Sequence, residues 1–479
     1  MNASQRRPGD RIVRRRVNAR REIDLPDAAI QRQGPRHTES HAKAFVTAVA
    51  AIIGIGTLLL ALPISTRSGD ATPIVDALFI AASAVSVTGL VTVDTATHWN
   101  FLGQLVILLL MQIGGISFTV GAGIALRFLA RGGRQSVRDA TMMLAGELTL
   151  PLHEAASLTR RVIKFTFLIE GAASWRSFYF MGDEPLHLAF WRSVFTSVSA
   201  FNNGGFDIQG EFQSFTAFSG SIWINVTLMA LITLGTISYI VVADVVESRR
   251  WRKMSPYTRL VLVVHGALTG IGFLTFLGAE WNGALSEIPV VHRPMASLFQ
   301  SISSRSAGIA TVNFGEVSTF SDFVYVALMG VGGASGSPAG GVRIATIGVI
   351  AVAVVSIIRG SSEPELFRRS LPIDVVLRAM VVIVVFFLGH FIAAAALAGT
   401  EHLYGVQPRF IVVLFESMSA IATVGFSTGI TPDLSTPGKI VITLSMYLGR
   451  LGPLLTVYAL QSRQYDKRYR LPKTTVHIG

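Results

Sequence analysis

The sequence runs to 479 residues, 51% hydrophobic and only 15% charged, with a mean hydropathy of +0.52, and is too apolar for a soluble globular chain of this length. The absence of cysteine excludes a disulfide framework, a thiolate metal site, an iron–sulfur cluster and a cysteine nucleophile together. The net charge of +12 does not point to nucleic acid, because the basic residues lie between long apolar runs, where they read as topology signals.

Residues 1–41 form a polar arm containing Arg6, Arg7, Arg14, Arg15, Arg16, Arg20 and Arg21, with no sustained apolar period, a composition that predicts disorder. The arm reads as a topology determinant resting on anionic lipid, with a specific docking role as the alternative. The first span is expected over Ala44–Leu62, a run longer than the core of a secretory signal. The runs Leu102–Leu126, Ile222–Val246, Leu260–Leu277, Val375–Leu397 and Ile440–Leu460 each approach or exceed the roughly 20 helical residues that cross a bilayer. Basic connections at Arg127–Lys164, Arg249–Arg259, Arg359–Arg369 and Arg463–Lys473 alternate with more acidic ones around Gly182–Pro185, Glu280–Glu287 and Glu401. That alternation predicts about eight spans, with both termini cytoplasmic.

Between these runs lie four segments too short to span, each ending in a glycine turn. They are Ile74–Val87 before Thr88-Gly89-Leu90, Leu186–Phe201 before Asn202-Asn203-Gly204-Gly205-Phe206, Pro294–Ser304 before Arg305-Ser306-Ala307-Gly308-Ile309, and Phe410–Ala422 before Thr423-Val424-Gly425-Phe426-Ser427. The glycines recur about every 100–120 residues, and each short segment ends in an alternation of hydroxyl and apolar residues, such as Ser83-Ala84-Val85-Ser86 and Ser417-Met418-Ser419-Ala420. Non-helical backbone at membrane depth is tolerated only inside protein or beside a watery cavity, so four such turns imply a shared cavity. The expected fold is an all-α integral membrane protein of four helix–pore loop–helix repeats with pseudo-four-fold symmetry around one central pore. The boundaries fall at 42–130, 131–250, 251–360 and 361–462, with a cytoplasmic tail over 463–479.

A ring of backbone carbonyls can replace the hydration shell of a monovalent cation, and glycine lets the chain take the positive φ that turns carbonyls toward an axis. Gly89, Gly205, Gly308 and Gly425 are the candidates, with a monovalent cation held by the backbone around them. A lone glycine after a hydroxyl-rich helix reads more simply as a helix cap, but four at matching places do not.

These motifs resemble the Trk/Ktr/HKT superfamily of potassium transporters over residues 42–462. Thr88-Gly89-Leu90-Val91 with Asp94-Thr95 is similar to that family's first filter and Ala200-Phe201-Asn202-Asn203 with Gly205-Phe206 to its second. Arg305-Ser306-Ala307-Gly308 is similar to its third, and Thr423-Val424-Gly425 with Ser427-Thr428-Gly429 to its fourth. The resemblance implies a selectivity filter at Thr88, Gly89, Asn203, Gly205, Ser306, Gly308, Thr423 and Gly425. It also implies a homodimer in a bacterial plasma membrane, and a separately encoded cytosolic ring of nucleotide-binding regulatory subunits. K+ is then the transported ion, held by the backbone around those four glycines, with Na+ a candidate coupling or activating ion and no organic cofactor in this chain. In plant-type members a serine in place of the first-filter glycine goes with sodium permeation, so Gly89 points to potassium. The polar arm leaves no room for the two extra N-terminal spans of the Trk branch, and the Ktr branch fits better. The chain departs from the family's usual pattern at Ser306, often threonine, and at Ile309, often phenylalanine.

The run 330–341, Gly330-Val331-Gly332-Gly333-Ala334-Ser335-Gly336-Ser337-Pro338-Ala339-Gly340-Gly341, interrupts the second span of the third repeat. A helix there is penalised by about 1 kcal/mol per glycine and about 3 for proline. The resemblance makes this segment an intramembrane gating loop, carried by Gly332, Gly333, Ser335, Gly336, Gly340 and Gly341; a plain kink is the alternative. Arg450 lies inside the last span, where an unpartnered charge costs roughly 2.5–3.5 kcal/mol or more. The resemblance places it in the pore below the filter, with a structural salt bridge as the alternative. Glu170 and Glu416 read as carboxylates bonded to helix ends rather than as ion-coupling groups, and Gln112 and Asn225 as interhelical hydrogen-bond partners. Asp94 and Asp207 are placed to draw cations to the outer mouth, or else are solvated loop acids. No histidine spacing suits a metal. Two other functions compete, a sodium-permeable member of the same family and a membrane-embedded enzyme with re-entrant loops. The enzyme would need a convergent acid, base, nucleophile or metal set that these loops do not offer.

Overall fold

The computed structural model describes residues 36–130, 152–180, 185–361, 363–367 and 369–461, and these are almost entirely helical. Helix α1 (Arg36–Ala61) is followed by α2 (Ile74–Ser86), the one-turn α3 (Thr95–His98) and α4 (Phe101–Ala130). Next come α5 (Leu152–Phe180), α6 (Leu186–Asn202), α7 (Ile222–Ile237) and α8 (Tyr239–Ser248). The third group is α9 (Pro256–Ala279), α10 (Arg293–Ser303), α11 (Thr319–Met329) and α12 (Ile344–Ile358). A small antiparallel hairpin, β1 (Glu365–Leu366) with β2 (Arg369–Ser370), leads to α13 (Ile373–Leu403), α14 (Phe410–Ile421) and α15 (Thr436–Gln461).

Proline starts each of the short helices α2, α6, α10 and α14. Pro73 and Pro185 occupy the N-cap positions of α2 and α6, Pro294 sits in the first turn of α10, and Pro408 precedes Arg409, which caps α14. Proline suits that place because its fixed φ is already helical and its missing N–H has no helical partner to lose. The C-terminal halves are buried throughout: Phe79–Ser86 of α2, Phe195–Asn202 of α6 and Phe415–Ile421 of α14.

Packing arranges the helices into four similar units. In each, the first long helix packs on its own short helix: α1 on α2, α5 on α6, α9 on α10, α13 on α14. The second long helix then packs on the short helix of the next unit: α4 on α6, α7 on α10, α11 on α14 and, closing the circle, α15 on α2. The closing contact carries an ion pair, Lys439 Nζ to Asp76 Oδ1 at 2.9 Å. Outward faces are apolar. Along α13, Leu377, Val384, Leu388 and Phe391 are exposed while His390, Ala394 and Leu397 are buried, the pattern of a helix with one face in lipid. Among the described residues α9 and α13 are each long and apolar enough to cross a bilayer, and α7 with α8 makes a third, bent segment.

Two expectations need correction. Helix α1 begins at Arg36, inside the arm expected to be disordered through residue 41; residues 1–35 lie outside the described residues. The run Ile222–Val246 is not one straight span, because it bends by 97° at Ser238, whose φ of 72° breaks the helix. The break exchanges hydrogen bonds rather than losing them. The Ile240 N–H, which would have reached the Thr236 carbonyl, donates to Ser238 Oγ at 3.3 Å, and the freed Thr236 carbonyl accepts from Ala334 N at 2.9 Å. An apolar run with no proline carries no mark of such an exchange. The third unit's second span is broken, as its glycines predict, between Met329 and Ile344.

Two of the acidic connections, those at Glu280 and Glu401, hold the helix that follows. Glu280, at the end of α9, accepts from Ser318 Oγ at 2.5 Å, Ser318 N at 3.1 Å and Ser321 Oγ at 2.5 Å, fastening the start of α11. Glu401 near the end of α13 does the same for Ser435 before α15, through Ser435 Oγ at 2.7 Å. Burial pushes the Glu280 carboxyl up, but the hydrogen bonds from Ser318, Ser321 and the Ala284 amide outweigh it and hold the group below the usual glutamate range. A depressed folded pKa stabilises the protein above the unfolded value and loses that stabilisation as pH falls through the folded one. Glu280→Gln is therefore expected to lower the thermal midpoint of the purified protein at pH 7, by the equivalent of roughly 1–3 kcal/mol, with the difference from the parent shrinking in acid. An equal deficit at every pH would contradict the assignment.

Candidate functional site

The four glycines singled out by the repeat meet one another. All have left-handed φ: 94° at Gly89, 70° at Gly205, 65° at Gly308 and 97° at Gly425. A Cβ built on Gly89 would stand 2.6 Å from the Gly205 Cα, and one on Gly205 would stand 2.9 Å from the Ala307 carbonyl oxygen. A Cβ on Gly308 would stand 2.8 Å from the Gly425 Cα, and one on Gly425 would strike the Thr88 carbonyl and stand 3.2 Å from the Gly89 Cα. Backbone thus touches backbone in a closed circuit of four turns, which requires both the absence of a side chain and a conformation that L residues disfavour.

Hydroxyl groups of the short helices hold these turns. Ser83 Oγ and Ser419 Oγ accept from the Gly89 and Gly425 amides, each at 3.0 Å. Thr88 Oγ1 lies 2.6 Å from Ser86 Oγ. Val87, Asn203 and Thr423, each two residues before its glycine, have φ of 58°, 57° and 50°, and a β-branched residue such as Val87 adopts that region only under constraint. The third turn differs: no residue there before Gly308 has positive φ, and Ser303 Oγ donates to the Ile309 carbonyl at 2.6 Å. Asn203 Oδ1 instead ties the second turn to the third, accepting from Ser306 Oγ at 3.0 Å.

Buried polar groups stand behind the turns. Asn202 donates to Glu170 Oε1 at 2.9 Å and to Gln112 Oε1 at 2.8 Å, so Glu170 and Gln112 bind a helix end and a neighbouring helix as expected. Glu416 accepts from Ser427 Oγ at 2.7 Å, the Thr428 amide at 2.8 Å and Thr431 Oγ1 at 2.8 Å, which pins the segment leaving the fourth turn. Asn225 is a correction, since it donates to the Phe218 and Ser221 carbonyls and so ties its own helix to the segment before it rather than bridging helices. The sequence reading left Arg305 without a role. Its guanidinium is fully buried, 3.0 and 3.1 Å from the two ring nitrogens of His265 and 3.0 Å from Thr269 Oγ1, and a cation in an apolar stretch beside a turn was the available signal.

The glycine-rich run 330–341 folds as a loop against the same place. Its ends are pinched by Gly332 N to the Val342 carbonyl at 2.9 Å and Val342 N to the Gly330 carbonyl at 3.0 Å. Gly333 and Ala334 lie against the Thr236 carbonyl, Ser335 N donates to Tyr257 Oη at 3.0 Å, and Gly340 packs on Ala422 and Thr423 with no room for a Cβ. Gly336 and Gly341 have φ of 77° and 68°. Arg450 is 5% exposed and donates to two backbone carbonyls, those of Pro338 in the loop and of Gly114 in α4, the latter at 2.8 Å. On the other side of the turns, Asp94 caps α3 and also accepts from the Phe212 amide at 2.9 Å, and Asp207 accepts from the Gln209 amide at 3.1 Å. Neither acid is a freely solvated loop residue.

The chain matches the profile of the TrkH family, described as cation transport proteins, over residues 29–465. It is 34% identical to the Ktr system potassium uptake protein B of Bacillus subtilis over 431 residues, which cover 89% of this chain and 94% of that protein. It is 32% identical to the potassium/sodium uptake protein NtpJ of Enterococcus hirae over 437 residues, 89% of this chain and 95% of that one. The structure of the potassium transporter TrkH from Vibrio parahaemolyticus aligns with a TM-score of 0.67 at 18% identity, over 88% of this chain and 85% of that one, a likeness of fold.

The circuit of turns makes a stability prediction independent of function. Gly69 has positive φ but open space around it, whereas Gly425 has positive φ and backbone in the way. Gly69→Ala is expected to cost about 1–2 kcal/mol for its conformation, and Gly425→Ala about 1–3 kcal/mol more for the collision, read as thermal midpoints in detergent. Equal midpoints would show that the turns do not touch.

Proposed function

Because this chain belongs to the TrkH family of cation transport proteins, a family of multi-pass membrane transporters and not enzymes, we propose that it conducts K+ through a single filter formed by its four glycine turns. It is the translocating subunit of a Ktr/Trk-type uptake system. The observation that carries this reading is the closed circuit Gly89, Gly205, Gly308, Gly425, together with the matching circuit of helix contacts. The four units are then the four pore repeats, related by pseudo-four-fold symmetry around one axis. Backbone carbonyls of the turns replace the water lost by the ion. The short helices direct their partly negative C-termini toward the path, favouring a cation without a fixed acid in it.

The loop over 330–341 is the gate in this reading. It packs on the end of the fourth turn at Thr423 and is held by its own unit through Tyr257 and by the second and fourth units through Thr236 and Arg450. Arg450 acts twice, adding positive charge on the cation route and holding the loop through the Pro338 carbonyl. A cytosolic nucleotide-binding ring supplies the force that displaces the loop, two copies of this chain form the membrane dimer, and both termini face the cytoplasm of the bacterial cell. Sodium permeation is a second reading, favoured by the third turn, which lacks the left-handed residue before its glycine found in the other three.

Growth of a potassium-uptake-deficient bacterium in low potassium tests the reading: the parent chain is expected to restore growth and Gly89→Asp to abolish it, with both proteins present in the membrane. No rescue by an inserted parent chain would contradict it. In isotope uptake, Arg450→Ala and removal of residues 334–339 are each expected to raise flux by roughly tenfold, the effect of removing about 1.4 kcal/mol from a barrier. Burial pushes the Asp207 carboxyl, beside the second turn, up to about 6, with Asp94 adding to the rise and hydrogen bonds from Gln209 and Ser214 opposing it. Below that value the carboxyl is neutral and no longer draws cations. Uptake at low potassium should therefore fall as external pH drops from 7 to 5, and the fall should disappear in Asp207→Asn.

A further inference from the structure

Thr236 sits next to the bend between α7 and α8 and touches both the turns and the loop. Its carbonyl accepts from Ala334 N in the loop at 2.9 Å. Its hydroxyl, whose proton is shared with the Ile232 carbonyl of its own helix at 2.7 Å, lies 2.9 Å from Ser306 Oγ in the third turn and 3.2 Å from Asn203 Oδ1 in the second, while Ser306 Oγ donates to the same Asn203 oxygen at 3.0 Å. All three side chains are buried, none more than 1% exposed.

The place itself is set by the repeat. A Cβ on Gly235 would strike the Phe201 carbonyl, just as one on Gly449 would strike the Ile421 carbonyl and one on Gly114 the Val85 carbonyl. Each of these carbonyls stands four residues before its unit's glycine. Thr236 in the second unit therefore occupies the position of Arg450 in the fourth and Gly115 in the first. Two of the three carry a side chain, and both hold the loop, Arg450 through the Pro338 carbonyl and Thr236 through its own. The Thr236 side chain also reaches the turns, through the Ser306 and Asn203 atoms named above.

We propose that Thr236 is a positioning residue that couples the loop to the second and third turns, so that loop displacement changes discrimination between K+ and Na+ as well as rate. The inference rests on the reading of the turns as a filter. Loop movement pulls on the Thr236 carbonyl, the helix end moves with it, and the hydroxyl shifts Asn203 and Ser306 together. The third turn, which has no left-handed residue to fix it, depends on this tether for its shape.

The experiment compares uptake of radioactive potassium and sodium into proteoliposomes containing the full chain as parent, Thr236→Val, removal of residues 334–339, and both changes together. Thr236→Val keeps the carbonyl and the branched shape but removes the hydroxyl. Its potassium-to-sodium ratio is expected to fall roughly fivefold, the effect of one ordinary hydrogen bond. Thr236→Ser is expected to restore it. Removal of the loop should also lower the ratio, and the double change should lower it no further than the larger single effect, whereas two independent structural defects would multiply. Ser306→Ala removes the same contact from the other side and serves if Thr236→Val does not insert. An unchanged ratio in Thr236→Val or Ser306→Ala, or effects that multiply, would overturn the coupling. A parent protein passing sodium as readily as potassium would instead overturn the potassium reading, while a ratio that fell in both Thr236→Val and Ser306→Ala and recovered in Thr236→Ser would support the tether.

Discussion

The structure depends on four places where backbone must touch backbone. Gly89, Gly205, Gly308 and Gly425 leave no volume for a Cβ, and each leans on the next unit of the circuit. Once that contact is required, much else follows. The short helices must stop at membrane depth, their last turns must be buried, and the N–H groups beyond them need partners that lipid cannot supply. Ser83 and Ser419 supply two of them directly. The carboxylates of Glu170 and Glu416 bind the helix ends and departing strands of chain that would otherwise be free to move the turns.

The four units are not equivalent, and the differences gather on the second and third. The third turn lacks the left-handed residue of the others, carries the buried Arg305 and is followed by the broken span between α11 and α12. The second has its own break at Ser238. These two breaks are one physical event, because the carbonyl freed in α7 at Thr236 is the one that takes the loop amide of Ala334. An irregular segment in each of two adjacent units thus satisfies the other, which is how non-helical chain is kept at membrane depth at low cost. The fourth unit meets the loop with the Arg450 guanidinium, for which backbone carbonyls serve as acceptors.

Much of this was legible in the sequence, for reasons specific to the repeat. A lone glycine after a hydroxyl-rich helix is ambiguous, but Gly89, Gly205, Gly308 and Gly425 stood at matching places, and those four are the ones that meet. The glycine and proline content of 330–341 made a continuous helix untenable there. What stayed hidden was long-range hydrogen bonding. Nothing in Gly235-Thr236-Ile237-Ser238 distinguishes a bend from a straight apolar helix, because the compensating donor lies about 100 residues away at Ala334. Glu280 and Glu401 served in the sequence only to mark acidic connections, since composition cannot tell a solvated carboxylate from one holding the next helix. The pairing of Arg305 with His265 joins the third turn to α9, a contact no local pattern fixes, and the arm before Arg36 lies outside the described residues.

Central to the account is one axis, bounded by the four glycine turns, along which a dehydrated monovalent cation sits. Anomalous X-ray scattering from crystals of the full-length protein grown in rubidium, a heavy stand-in for potassium, tests this most directly. The account predicts an anomalous peak on that axis, bounded by Gly89, Gly205, Gly308 and Gly425 and lost when rubidium is replaced by sodium. Turns found apart from one another, or rubidium bound elsewhere with none between them, would contradict it.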